Sequence, residues 1–421
     1  MITPAFSPTA TERVLPKLAL DFTTASLDPR VTVTRALNTA TRINSSGLVA
    51  TVNANLPRFD YDPSTLVCKG LLIEEARSNV ILYSEDFSNG NWARTGATVS
   101  ANAAVAPDGN TTGDALVEDG TTGLHIIQQF FTFTTGTAYS FSVFIKPGIR
   151  TWVQIFLPTA AFGAAQGGYF NLSGAGSLGN ATGTPTSRTI TALPNGWYRC
   201  TITATSTASA GGNVGITAAS ANGTNSYAGS NGSTALTLWG ADLEVGAFST
   251  SYIANLATGS TTRNADVVAM TGTNFSDWYN ASEGSFTVQF DSVAVSATDT
   301  KLYYALGASN GTASNLNGVY TYQAAAYGAT VNGGAGQANI SAGAVTVNTT
   351  QKVCYGYKAN SFAVSLNGAV ANLDGSGTIP TVDRLSIGSL YGSTNVLNGH
   401  VAKLAFYTPR LINAEIRAFS K

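Results

Sequence analysis

Apolar and polar residues alternate with a period of two along most of this chain. In Tyr139-Ser140-Phe141-Ser142-Val143-Phe144-Ile145 the residues Tyr139, Phe141, Val143 and Ile145 fall on one face of an extended strand. Tyr198, Cys200, Ile202 and Ala204 form a second such set. In Thr151 to Phe156, Val153 and Ile155 face one way while Trp152, Gln154 and Phe156 face the other. The pattern returns in Phe286 to Phe290, Phe362 to Leu366 and Leu385 to Ile387. Asn367-Gly368 follows one of these strands and predicts an antiparallel hairpin. The Gly-rich runs Gly163 to Gly168 and Ala210 to Gly215 read as loops. One helix is predicted, Asn413 to Ser420, with Asn413 as N-cap and Ile416 and Phe419 on its buried face.

These elements predict an all-β protein: two antiparallel jelly-roll-type β-sandwiches in tandem after an extended N-terminal region, with one short C-terminal helix. Residues 1–86 carry Pro4, Pro8, Pro16, Pro29, Pro57 and Pro63, which exclude a long helix and suit an arm with short strands. Residues 87–258 and 265–421 are the two sandwiches, joined by a turn-rich linker at about 254–264.

Composition narrows the function. The 421 residues include 11% charged side chains, against about 25% in ordinary soluble proteins, and 44 glycines. A net charge of -1 gives no field for nucleic acid or an anionic membrane, so neither partner is expected. No run of about 18 apolar residues predicts a membrane span, and the first residues lack a secretory leader pattern. Cys68, Cys200 and Cys354 are too far apart for a metal motif and read as small buried hydrophobes.

Several segments resemble a family of fibre and head-spike proteins of tailed bacteriophages, prophages and related particles. They are Gly70-Leu71-Leu72-Ile73-Glu74-Glu75-Ala76-Arg77-Ser78-Asn79, Tyr83 to Phe87, Asn195-Gly196-Trp197-Tyr198-Arg199, and Leu238-Trp239-Gly240-Ala241-Asp242-Leu243-Glu244 through Ser251-Tyr252-Ile253 to Thr262-Arg263-Asn264-Ala265-Asp266. The resemblance implies a jelly roll similar to carbohydrate-binding modules over about 65–266. Phe362 to Gly368, Leu385 to Gly388 and Gly399 to Tyr407 look like a concanavalin/laminin-G sandwich. It further implies a virion location, a homotrimer, attachment to other virion proteins through the N-terminal region, and host surface glycan as ligand. Family members carry an amide where this chain has Asp242 and a proline where it has Ser249, so a looser turn is expected before Tyr252.

Catalytic chemistry is thinly supplied: two histidines, His125 and His400, lie in no metal or nucleophile motif, and no catalytic residue, metal or cofactor is assigned. His125 is expected as a surface imidazole and His400 as a sandwich-strand residue. Glu74-Glu75 cannot flank one substrate, because neighbours on a strand face opposite ways; pairing with Arg77 or backbone amides suits them better. Asp242 and Glu244 share a face but supply too few oxygens for a calcium site. Sugar binding asks for flat aromatic faces with amides nearby, which points to Trp152, Gln154, Tyr169 and Tyr227. The alternative is a capsid or tail decoration protein whose aromatics cement subunits; a depolymerase is a third possibility.

Overall fold

The computed structural model describes residues 14–293 and 301–421, and these are almost entirely antiparallel β-structure. The middle sandwich has an eight-stranded sheet in which Ser187–Ala192, Tyr198–Thr205, Ala138–Pro147, Thr234–Val245, Gly113–Glu118 and Ala97–Ala104 lie side by side. Facing it is a six-stranded sheet ordered Ser177–Thr182, Gln166–Asn171, Trp152–Leu157, Gly211–Ala219, Ile126–Thr132 and Ala93–Thr95. Between them Phe141, Val143 and Ile145 meet Val153, Ile155 and Leu157, with Cys200 and Ile202 in the same core. The alternation seen in the sequence is therefore the inside-outside rule of two packed sheets.

Part of the Gly-rich sequence departs from expectation. Gly167, Gly168 and Gly211 to Gly215 lie within strands. Glycine is needed at these positions because neighbours fill the space of a side chain: a methyl would collide with Phe156 at Gly215, with Phe130 at Gly211, with Pro158 at Gly212, with the Ile155 backbone at Gly167 and with Arg188 at Gly168.

The last sandwich pairs another eight-stranded sheet, centred on Glu283–Phe290 and Gly399–Tyr407, with a seven-stranded sheet that includes Val267–Thr271, Tyr303–Ser309, Leu316–Tyr322 and Arg384–Ile387. Phe286, Val288, Tyr355, Leu385 and Phe406 fill its core. After Phe362–Leu366, Asn367 and Gly368 both have positive φ, and the chain returns antiparallel through Asn372–Asp374. The closing helix is Asn413–Phe419; Ile416 is buried against Cys354 and Tyr407 as expected. Its N-cap is Ile412 rather than Asn413, because the Glu415 carboxylate accepts the Ile412 N–H at 2.9 Å. The Asn413 side chain instead accepts from Arg410.

The stretch expected as an arm is woven into both sandwiches over its described part. Leu18–Asp21, Phe59–Tyr61 and Cys68–Ile73 belong to the sheet of Gly399–Tyr407, and Thr32–Thr34 pairs with Val267–Thr271. Arg77–Asn79 pairs with Thr261–Arg263, inside the expected linker, and touches the middle sandwich at Glu244.

Where these parts meet, five side chains form a buried ionic hub. Arg35 contacts Asp266 at 2.8 Å and Arg58 contacts Glu74 at 2.7 Å, while Arg58 also meets Asp266 and Arg263 meets Glu74. None of the five side chains is more than 6% exposed, so each charge depends on its partners for the solvation it lost. Four of the motif residues, Glu74, Asn79, Arg263 and Asp266, thus tie the chain together. Asn79, for example, donates to the Ala241 and Ile253 carbonyls. Among the described residues no helix is long and apolar enough to cross a membrane.

Candidate functional site

The outer face of the six-stranded sheet is the strongest candidate. Val153, Ile155 and Leu157 turn inward, which sends Trp152, Gln154 and Phe156 outward on the same strand. Two strands away, Ile127 turns inward and Phe130 outward, where it is 65% exposed. Phe156 lies over Gly215, Phe130 over Gly211, and Trp152 against Gly179. The ends of the rings reach these glycines; Phe130 is exposed, and Trp152 and Phe156 are half-buried.

Gln154 sits between the rings and is 7% exposed. Its amide donates to the Thr182 hydroxyl at 2.9 Å, and its carbonyl accepts from Asn225 at 2.6 Å. Asn222 reaches over the same edge and accepts the Asn180 N–H at 2.7 Å. These amides make a polar rim at the Trp152 end. Tyr169 is directly opposite Gln154 on the neighbouring strand and is largely buried, and burial raises its hydroxyl pKa. Trp152, Gln154 and Tyr169 are thereby brought together. Phe130, which carries the most exposed ring, was not singled out in the sequence.

Tyr227 is held apart from this group. It lies on a two-stranded ribbon of Thr122–Leu124 and Ser226–Ala228. Its hydroxyl donates to Glu118 at 2.5 Å, Arg150 packs over its ring at 4.5 Å, and His125 stacks on it at 4.6 Å. Burial would raise the Glu118 pKa, but Arg150 and Tyr227 hold it down to about 2. His125 is fully buried rather than on the surface, because the ribbon and Gly229 close over it.

Other chemistry-bearing residues have structural partners. His400 bridges Asp291 at 2.8 Å and Asp60 at 3.0 Å. Burial favours its neutral ring, yet the Asp291 charge and the two acid hydrogen bonds outweigh that and lift the pKa to about 9. A cavity of about 470 Å³ opens beside this triad, with Arg42, Tyr61, Lys69, Arg199 and His400 among its walls. Two of its acids are held by the fold: Asp60 also accepts the Ile43 N–H at 2.6 Å, and Glu74 belongs to the ionic hub. Glu75 pairs with Arg77 at 2.6 Å, as expected.

Asp242 and Glu244 are both fully buried. Burial, then the neighbouring Glu244 charge, pushes the Asp242 carboxyl well above the usual range, so it keeps its proton and hydrogen-bonds Glu244. Glu244 accepts from the Thr250 N–H and hydroxyl. A protonated Asp242 presents the same donor and acceptor set as an amide.

No family model and no curated protein matches this chain. Solved structures give partial matches. The CBM40 domain of the Ruminococcus gnavus IT-sialidase, bound to alpha2,3 sialyllactose, matches 34% of this chain and 84% of its own at 14% identity and a TM-score of 0.29. The K499G mutant of NanB sialidase from Streptococcus pneumoniae matches over 36% of this chain and 26% of its own, at 11% identity and 0.30. Trypanosoma rangeli sialidase with the inhibitor DANA gives 37% and 26%, at 16% identity and 0.27. The all-β architecture rests on the strand pairing described above, not on these superpositions.

Proposed function

We propose that this chain is a non-catalytic glycan-binding protein, a fibre or spike of a phage-like virion that meets host surface polysaccharide. The observation that carries glycan binding is the set of three half-buried to exposed aromatic rings, Trp152, Phe156 and Phe130, spread over glycines on the outer face of one sheet with amides at its rim. Such rings stack on the apolar face of a pyranose while amides take its hydroxyls. The virion role, the homotrimer and attachment through the N-terminal region are carried over from the motif resemblance. Binding to a host-glycan array should be retained by the intact chain and reduced by Phe156→Ala with no change in unfolding midpoint. A chain that retains no glycan, or Phe156→Ala binding like wild type, overturns this assignment.

One feature favours the alternative, a decoration protein that cements subunits. Residues 302–351 contain no charged side chain and no histidine. On the outer face of the seven-stranded sheet they place Tyr320 and Tyr327 stacked at 5.2 Å beside Tyr304. Subunit packing there predicts that Tyr327→Asp dissociates the oligomer, read by light scattering. If it leaves the oligomer intact, the cementing role falls.

A further inference from the structure

We infer that the ligand of the six-stranded face is an uncharged glycan chain several sugars long, bound along its length, and not an acidic or terminal sugar. This rests on the glycan-binding role proposed above and specifies its substrate class.

Charge comes first. In the six strands of the sheet the sole charged residue is Arg94. It pairs opposite Ile127, a core residue, and so turns to the inner side, where its guanidinium donates to the carbonyls of Phe87 and Asn89 at 2.9 and 3.0 Å. At the rim, Arg150 is neutralised by Glu118 through two hydrogen bonds at 2.7 and 2.8 Å. Arg188 is a cation at the far edge of the sheet, turned to the Gly179 and Asn180 carbonyls at 2.9 and 3.1 Å. A carboxylate-bearing sugar laid along Phe156 and Phe130 would lose water from its charge and find no cation on the strands beneath it. Uncharged hydroxyls lose far less and meet the exposed amides of Asn180 and Asn222 at the rim.

Geometry sets the length. Trp152 and Phe156 are four residues apart on one strand, about 13 Å at the usual rise per residue. Phe156 is opposite Gly215 and Phe130 opposite Asn213 on the strand between them. Two strand spacings and two residues along put those rings about 12 Å apart. Each step continues in the same direction along Gly211–Ala219, so the rings form one track rather than a ring of walls. A single pyranose is no larger than the ring it stacks on and cannot touch two of them. The track has room for a chain crossing the sheet obliquely from the amide rim to Phe130.

The full-length protein should be titrated calorimetrically with neutral β-glucan and mannan oligosaccharides of stepped length, and with sialylated and uronic-acid oligosaccharides, each at low and high salt. The expected result is affinity for a neutral series that rises with chain length and ignores salt. Phe130→Ala, at an exposed position that should not disturb folding, should weaken the longer oligomers by about three- to tenfold and leave the shortest unchanged. Binding confined to the acidic series and falling with salt would overturn the inference while leaving glycan binding in place. Affinity already complete at a disaccharide and indifferent to Phe130→Ala would overturn the extended track. No binding to any series by the intact chain would overturn the glycan-binding role itself.

Discussion

Glu74→Gln tests the ionic hub most directly, because it removes one charge and changes almost nothing in shape. Glu74 accepts from Arg58 and from the Ser251 N–H and hydroxyl, each at 2.7 Å, and also meets Arg263. The hub holds three guanidinium groups against two carboxylates, and after the substitution Asp266 alone faces all three. Removing one partner of a fully buried pair leaves uncompensated charge and costs about 3–5 kcal/mol. Glu75→Gln is the matched control: its pair with Arg77 is 27% exposed on the acid side, so the loss should stay within about 1 kcal/mol. Urea denaturation followed by tryptophan fluorescence and circular dichroism measures both. Trp92, Trp197 and Trp239 are buried in the middle sandwich or its flank and Trp278 is in the last sandwich core, so fluorescence is weighted to the middle unit. The two signals should separate in Glu74→Gln, because the hub residues lie in the segments that join the sandwiches. Burial would raise the Glu74 pKa, but Arg263 and Arg58 depress it below its unfolded value. Its contribution is therefore present above about pH 4.5 and lost on acidification, and Glu74→Gln should flatten that acid limb. A loss no larger than that of Glu75→Gln, with coincident transitions, would refute the hub's role.

Three further outcomes are expected. Asp242→Asn should stabilise the protein near neutral pH, since the raised native pKa makes stability fall as pH climbs above the unfolded carboxyl value, and the amide removes that slope; urea midpoints across pH measure it. The His400 triad loses stability in the same direction: its contribution is complete below about pH 6.5, declines as pH rises through about 9, amounts to about 3 kcal/mol, and should vanish in His400→Ala. Gly215→Ala should displace the Phe156 ring and weaken glycan retention severalfold, read on an affinity column, while Gly136→Ala, on an open turn with positive φ, should leave retention unchanged.

Much of the fold was legible because strand periodicity survives in sequence. Tyr139 to Ile145 and Trp152 to Phe156 alternate cleanly, and the sheets bury the expected sides. Phe130 was hidden by doubling: Ile126-Ile127-Gln128-Gln129-Phe130-Phe131 gives both faces the same residue types, so no pattern says which phenylalanine is outside. The glycines under the rings read as loop because glycine lacks the side chain that marks a strand, and the rings that pack on them come from neighbouring strands. Tyr227 and His125 are a matter of tertiary closure: a three-residue ribbon converts a loop aromatic into a packed one. The weaving of residues 18–79 left little trace because strands of three to six residues carry too few positions for a period, and their partners are in some cases more than 300 residues away.

The pairing of Leu18 with Phe406 also bears on how the protein is made. A ribosome delivers the first strand long before the last, so the sheet that holds both cannot close while the chain is still emerging. Until then Leu18 and Leu20, destined for the core, stay exposed, and the nascent protein must avoid sticking to its neighbours. The middle sandwich, whose sheets use strands from 77 to 263, can form earlier and serve as the folded base on which that late closure occurs.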